Sequence, residues 1–530
     1  MGENDSYYRP GGGVQPQQQG YQPGQPMNAN YQPPPQPQPQ YQHQQNGGAP
    51  PPYSYTPQVP PQGEKYTFDQ AFKVEGGPKY HDIWAGVLFI LVVIGFGVVS
   101  GLSLYTYSNH KSAYGNGIDD GVVSAGLSTN ALILYCIVLG VAFVFSYLYI
   151  ELARRFTKQF IWITGILNII WCFVTAFYML AKKAYGGGIV FLIFGVFIAF
   201  CFWSWRRKIP FSALMLKTSV DVSKKYGHVY LVSLIGGIVG VGLAIWWAAT
   251  IIGIYAAWDP NSGSECGVGG CSQAKVNGLI AFSVFAVFWI SEWLKNTIHT
   301  IVSGVYGSWY FCKNNFPKNA TRGAAKRALT YSFGSISLGS LIVAIIQFLR
   351  QIAATAAQQE GAGGDIVGYV CFCVASCILG ILEWAVEFLN RYAFSHIALY
   401  GKSYIAAAKD TWKLIKDRGI DALINECLIG PVLGFGATFI GYACALLAFI
   451  YLLITDPSYN SDGTYTAFIV AFAFLIGFQI ANIFTTPLSS GVDTIFVAMA
   501  WDPEVMIREH PDLYHEMVKV YPHVQQAIHA

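Results

Sequence analysis

Apolar and polar positions divide this chain into two unequal parts. From Met1 to about Gly63 almost no aliphatic side chain interrupts a run of Gln, Pro, Gly and Tyr, as in "YQPPPQPQPQYQHQQ". Such a segment has too little to bury to offset its ordering entropy, so it is expected to be disordered. From Asp82 onward the pattern inverts. Apolar runs of about 20 residues, enough for a helix rising 1.5 Å per residue to cross a bilayer, recur ten times. They lie at 82–107, 131–150, 160–180, 187–205, 229–258, 276–307, 329–349, 366–389, 423–454 and 465–486. The expected organisation is a tail at 1–63, a ten-helix transmembrane domain at 64–500 and a short segment at 501–530. The first apolar run starts too far along to be a cleaved signal, so the tail is expected to stay.

Composition agrees with the pattern. Of 530 residues, 53% are hydrophobic and 12% charged, where a soluble protein carries about 25% charged; mean hydropathy is +0.38. The fold class read from this is an all-α polytopic membrane protein. A net charge of +3 gives no reason to expect nucleic acid. The placement of the cations is more informative. With the N-terminus inside, most Lys and Arg fall in alternate loops such as "ELARRFTK", "WRRK" and "KDTWKLIKDR", which puts both termini in the cytosol by the positive-inside rule. There is no phosphate-binding G-x-x-x-x-G-K-[ST] loop and no metal-ligand spacing. Neither an enzyme, nor an ATP-driven pump, nor a cofactor is expected. Cys371, Cys373 and Cys377 lie in an apolar run and read as packed thiols. Cys266 and Cys271 share a polar outer loop, "SECGVGGCSQ", and would form a small disulfide in an oxidising compartment.

The sixth run departs from the pattern. "VFWISEWLKNTIHTIVSGVYGSWYF" carries Glu292, Lys295, Asn296 and His299 where hydrocarbon penalises each charge by a few kcal/mol. Trp289, Glu292, Asn296, His299 and Ser303 recur every three or four residues and so share one helical stripe, with Lys295 in i, i+3 reach of Glu292. The eighth run repeats the theme: Glu383, Glu387 and Asn390 on one face, Trp384 and Arg391 beside it. Asn296 and Asn390 each stand ten residues before a Tyr-Gly pair, which reads either as a duplicated helix pair or as coincidence. The bland reading is that these groups form internal ion pairs knitting helices together. The functional reading is a path for a cation or a proton. Glu292 would supply counter-charge, Trp289, Trp293 and Trp384 an aromatic wall for an organic cation, Asn296 and Asn390 orientation, and His299 a proton. Trp203, Trp205 and Trp309 read as interface-belt residues. In the tail, "PPPY" at Pro50, Pro51, Pro52 and Tyr53 matches a WW-domain ligand, preformed as polyproline II, and points to a WW-domain ubiquitin ligase as partner.

The block "FLNRYAFSHIALYGKSYIAAAKDTWKLIKD" resembles the signature of the choline transporter-like family, carried here by Asn390, Ala393, Ala398, Gly401 and Tyr404 ahead of an amphipathic inner helix. "GSWYF", "SFGSISLGSLI" and "DTIFVAMAWDPE" are similar to that family too, so the resemblance runs from about Asp82 to the C-terminus. The Gln/Pro/Tyr tail is similar to its fungal branch. The resemblance implies ten transmembrane helices, cytosolic termini, a plasma-membrane address and transport of choline or a related amine such as ethanolamine. Animal members have a long glycosylated loop between the first two spans; here only "SNHKSAYGNGIDDGVVSAGLS" stands there. Facilitated diffusion or proton exchange is then the expected mode. The alternatives are an ion channel for protons or chloride, and a membrane scaffold acting through its tail.

Overall fold

In hydrocarbon each backbone N–H and C=O must be paired within the protein, and a helix does this within one segment. The computed structural model describes residues 79–109, 129–181, 183, 185–260, 270, 272–417, 429–457, 460, 463 and 466–522, all within one unit, Thr56–Ala530. The tail, including Pro50–Tyr53, and Cys266 and Cys271 lie outside the described residues. Among the described residues the regular structure is entirely helical. Nine helices among these residues are long and apolar enough to cross a membrane. They are α1 (Ile83–Asn109), α2 (Thr129–Arg155), α3 (Thr157–Ala181), α6 (His228–Trp258), α7 (Gln273–Phe311), α9 (Phe333–Gly363), α10 (Ile366–Tyr400), α12 (Ile429–Thr455) and α13 (Thr466–Trp501). The fourth apolar run, α4 (Tyr185–Trp205), continues after a sharp bend of 87° into α5 (Ile209–Lys225). Pro210 sits in the first turn of α5, where its missing N–H leaves nothing unpaired. Counted as one span, that bent pair makes ten. Among the described residues there are four shorter helices besides: α8 (Ala320–Leu329), α11 (Tyr404–Asp417), α14 (Pro503–Glu509) and α15 (Pro511–Val520).

Two helices form the centre. α7 packs on α1, α6, α9, α10 and α13, while α13 packs on α2, α5, α6, α10 and α12. The core gathers where α7, α10 and α13 end: Val302, Val305, Tyr306 and Tyr310 meet Phe394, Ile397, Ile495 and Phe496. Every residue of α7 from Thr300 to Tyr310 and of α10 from Tyr392 to Tyr400 is buried. The other half of α10 is bare, and Cys371 and Cys377, expected to be packed, stand exposed there. Glycine allows the close approaches that this density needs. A Cβ at Gly491 would overlap the ring of Tyr306, and one at Gly334 would overlap the carbonyl oxygens of His81 and Asp82.

Polar ties seal this end. Asp82, at φ +51°, precedes α1. Its Oδ2 accepts from the Ser335 hydroxyl (2.7 Å) and from the backbone N–H of Tyr404 (2.9 Å). Tyr310 donates to the carbonyl of Asp502 (2.9 Å) and Tyr400 to its carboxylate (2.7 Å). Lys402 pairs with Asp410 at 2.7 Å and lies 4.7 Å from the centre of the Trp501 ring. The His396 ring, 3.6 Å away, and then the Lys402 ammonium hold the Asp410 carboxyl down at about 2. Trp309 is no belt residue: it is buried, with the tilted His510 ring 4.2 Å away. Trp203 is exposed, as a belt residue should be.

Candidate functional site

Glu292 lies midway along α7 and is 6% exposed. Its Oε1 accepts from Lys295 Nζ at 2.8 Å and from Gln347 Nε2 of α9 at 3.2 Å. Its Oε2 is buried and accepts no hydrogen bond among the described residues. A carboxylate oxygen so placed loses its water without replacement, an unfavourable state unless a cation or donor arrives. Lys295 donates equally, at 2.8 Å, to Glu387 Oε1 of α10, so one ammonium joins acids of two helices. One turn away on α10, Glu383 pairs with Arg350 of α9 at 2.6 Å. One turn in the other direction, Arg391 interacts electrostatically with Glu387 and with Asp493 of α13. Asp493 is 6% exposed; Tyr392 hydrogen-bonds to it, and its Oδ2 accepts nothing. These contacts form a charge ladder along α10, setting the carboxylates of Glu383, Glu387, Glu292 and Asp493 against the cations of Arg350, Lys295 and Arg391.

Aromatic rings gather where α7 meets α1 and the start of α9. Trp293 stacks on Phe89 at 5.0 Å and meets the Phe333 ring at 5.5 Å. Trp289 meets Phe89 at 5.4 Å and donates its indole N–H to the carbonyl of Ser337 at 3.0 Å. The Trp293 indole N–H, also buried, has no acceptor. Trp384 stands apart from these rings: it is 64% exposed and stacks on Phe388.

The remaining stripe residues tie helices together. Asn296 donates to Ser340 of α9 (2.9 Å), and Asn390 donates to the neighbouring Gly339 carbonyl (3.2 Å) while accepting from the Tyr404 hydroxyl (2.6 Å). The two asparagines thus converge on adjacent residues of α9. His299 joins three helices. Its Nε2 lies 2.8 Å from the Arg391 carbonyl and 3.0 Å from Ser395 Oγ, and its Nδ1 lies 2.9 Å from Ser490 Oγ of α13. A carbonyl only accepts, so Nε2 carries a hydrogen.

Of the nine residues singled out in the sequence, the structure brings Glu292 and Glu387 together through Lys295, with Trp289 and Trp293 beside Glu292. Glu383 stands one turn away, Asn296, His299 and Asn390 hydrogen-bond between helices, and Trp384 is exposed. Asp493 is not among those nine. Its signal is the helical spacing of Val492, Ile495, Phe496 and Met499, which continues the tenth apolar run beyond Thr486. No group of three or more His, Cys, Asp or Glu able to hold a metal occurs among the described residues.

A family model described as plasma-membrane choline transporter matches residues 189–504, which takes in α7, α9, α10 and α13 and so every rung of the ladder. The chain is 62% identical to Protein PNS1 of Gibberella zeae, over 100% of this chain and 99% of that protein. It is 54% identical to Protein pns1 of Aspergillus fumigatus, over 99% of each. Protein PNS1 of Saccharomyces cerevisiae is 40% identical over 86% of this chain and 87% of its own length. A matching family model over more than half the chain, relatives aligned nearly end to end, and an all-helical polytopic fold lead to one conclusion: this membrane transporter belongs to the choline transporter-like family, in its fungal branch.

Proposed function

We propose that the protein carries a small organic cation, choline or ethanolamine, across the plasma membrane by facilitated diffusion or in exchange for a proton, with both termini in the cytosol. The observation that supports this most directly is Glu292: a carboxylate buried in the membrane-spanning part, whose Oε2 has no donor among the described residues, with Trp289 and Trp293 at neighbouring positions of the same helix. A carboxylate attracts an ammonium group, and aromatic faces favour one carrying methyl groups over a neutral solute. The Pro50–Tyr53 motif is read as a docking site for a WW-domain ubiquitin ligase, acting on surface lifetime and not on flux.

The test is labelled choline and ethanolamine uptake by purified protein in liposomes, for wild type and Glu292→Gln, with and without a pH gradient. Removing one partner of a buried ion pair costs roughly 3 kcal/mol, so uptake efficiency is expected to fall about a hundredfold. A Glu292→Gln protein with undiminished uptake would move the path away from α7. Electrical currents that do not saturate with choline would indicate a channel instead.

A further inference from the structure

A transported cation must find its carboxylate free, and here that place is taken. Lys295 Nζ lies 2.8 Å from Glu292 Oε1 and 2.8 Å from Glu387 Oε1, so a monovalent cation of the chain itself sits between the acids of α7 and α10. The two sides of this contact differ. Glu292 is packed, 8% exposed at its side chain and held from α9 by Gln347, whereas the Lys295 side chain is 51% exposed. The ammonium ends a flexible four-carbon stem and can swing away while the acid stays. It cannot leave Glu292 without a replacement, because a lone carboxylate in low dielectric is strongly unfavourable.

We propose that Lys295 is a tethered stand-in for the transported cation: it neutralises Glu292 and Glu387 when the site is empty, and an organic ammonium ion displaces it on binding. This rests on the organic-cation reading above. The occupant it fits is a monovalent amine or quaternary ammonium, matching one ammonium exchanged for another. Two consequences follow from the linkage. The tether competes with substrate, so it lowers apparent affinity by the fraction of time it occupies the acids. It also spares the empty carrier from reorienting with two bare carboxylates, so it favours net uptake over strict exchange.

Full-length protein in liposomes separates these effects. Choline binding is measured alongside uptake into empty vesicles and into choline-loaded vesicles, for wild type, Lys295→Met and Lys295→Arg. For Lys295→Met, binding is expected to tighten about tenfold and uptake into empty vesicles to drop by about the same factor, if the tether holds the acids nine-tenths of the time. Exchange into loaded vesicles should persist. Methylammonium on both sides should restore net uptake to Lys295→Met, and Lys295→Arg should keep the wild-type ratio of the two fluxes. Weaker binding with both fluxes reduced in one ratio, no rescue by methylammonium, or a changed ratio in Lys295→Arg would each overturn the stand-in. Saturable wild-type uptake that is lost in Glu292→Gln, with an unchanged flux ratio in Lys295→Met, removes the stand-in alone. Wild-type protein that takes up no organic cation removes the organic-cation reading, and the stand-in with it.

Discussion

His299, read in the sequence as a candidate proton carrier, is held by its neighbours on both sides of the ring. Both ring nitrogens are engaged, to Ser490 on one side and to Ser395 and the Arg391 carbonyl on the other. His299→Ala is expected to lower stability by about 1–3 kcal/mol, the penalty for buried polar groups left unpartnered, read as a drop in the thermal midpoint of detergent-solubilised protein. An unchanged midpoint together with a transport pH profile that loses its inflection would make His299 a proton carrier instead. The sequence marks Glu292, Asn296, His299 and Asn390 because each interrupts an apolar run. It does not mark their partners, since Ser340 is 44 positions from Asn296 and Ser490 is 191 from His299. Asp493 escapes for a different reason. It follows small and hydroxylated residues, "TTPLSSGVD", which lower local hydropathy and look like the end of a span, whereas the helix runs on to Trp501.

The same limit applies between elements. Ten apolar runs are legible, but the bend of 87° between α4 and α5 is not, because hydropathy carries no direction. Nor does hydropathy show which small residues allow contact. Tyr306 is pinned by donating to the Ser219 carbonyl at 2.8 Å, and the Ser219 hydroxyl donates to the Leu488 carbonyl at 2.9 Å. This contact links α5, α7 and α13 one residue after Pro487, whose missing N–H already breaks the helix ladder. Gly491 lies against that ring. Alanine is the better helix former by about 1 kcal/mol, yet Gly491→Ala is expected to lower the thermal midpoint, because its Cβ would overlap a ring that cannot turn away. A Cβ placed on Gly97 of α1 would meet nothing within 4 Å, so Gly97→Ala should be neutral or stabilising. Equal midpoints for the two variants would count against the close-approach account.

At the scale of the molecule, the sealed end carries groups whose charge depends on pH. His510 is buried between Trp309 and Tyr310, its Nε2 3.0 Å from the Tyr310 carbonyl, and burial pushes it from 6.5 down to about 4. A histidine with a depressed folded value resists protonation that the unfolded chain accepts, so stability is intact above pH 6.5 and is lost as pH falls towards 4. The full loss is roughly 3 kcal/mol. His510→Gln should flatten the midpoint-versus-pH curve across that window. Asp410, held at about 2 by His396 and Lys402, adds a further loss only below about pH 4. A curve equally steep in His510→Gln would place the sensitive group elsewhere.

The charge ladder also works as a mechanical rack. Glu383, Glu387 and Arg391 recur every four residues, about 6 Å along α10. Each of these teeth engages a different neighbour: Arg350 of α9, Lys295 of α7 and Asp493 of α13. Sliding α10 by a fraction of that interval would leave carboxylates between partners. Sliding it by a whole interval would set Glu387 against Asp493 in one direction and Arg391 against Lys295 in the other, a like-charge contact either way. The spacing therefore works as a key and not as a ratchet: one position of α10 along its axis satisfies all three teeth, so the order of charges fixes its register against α7, α9 and α13.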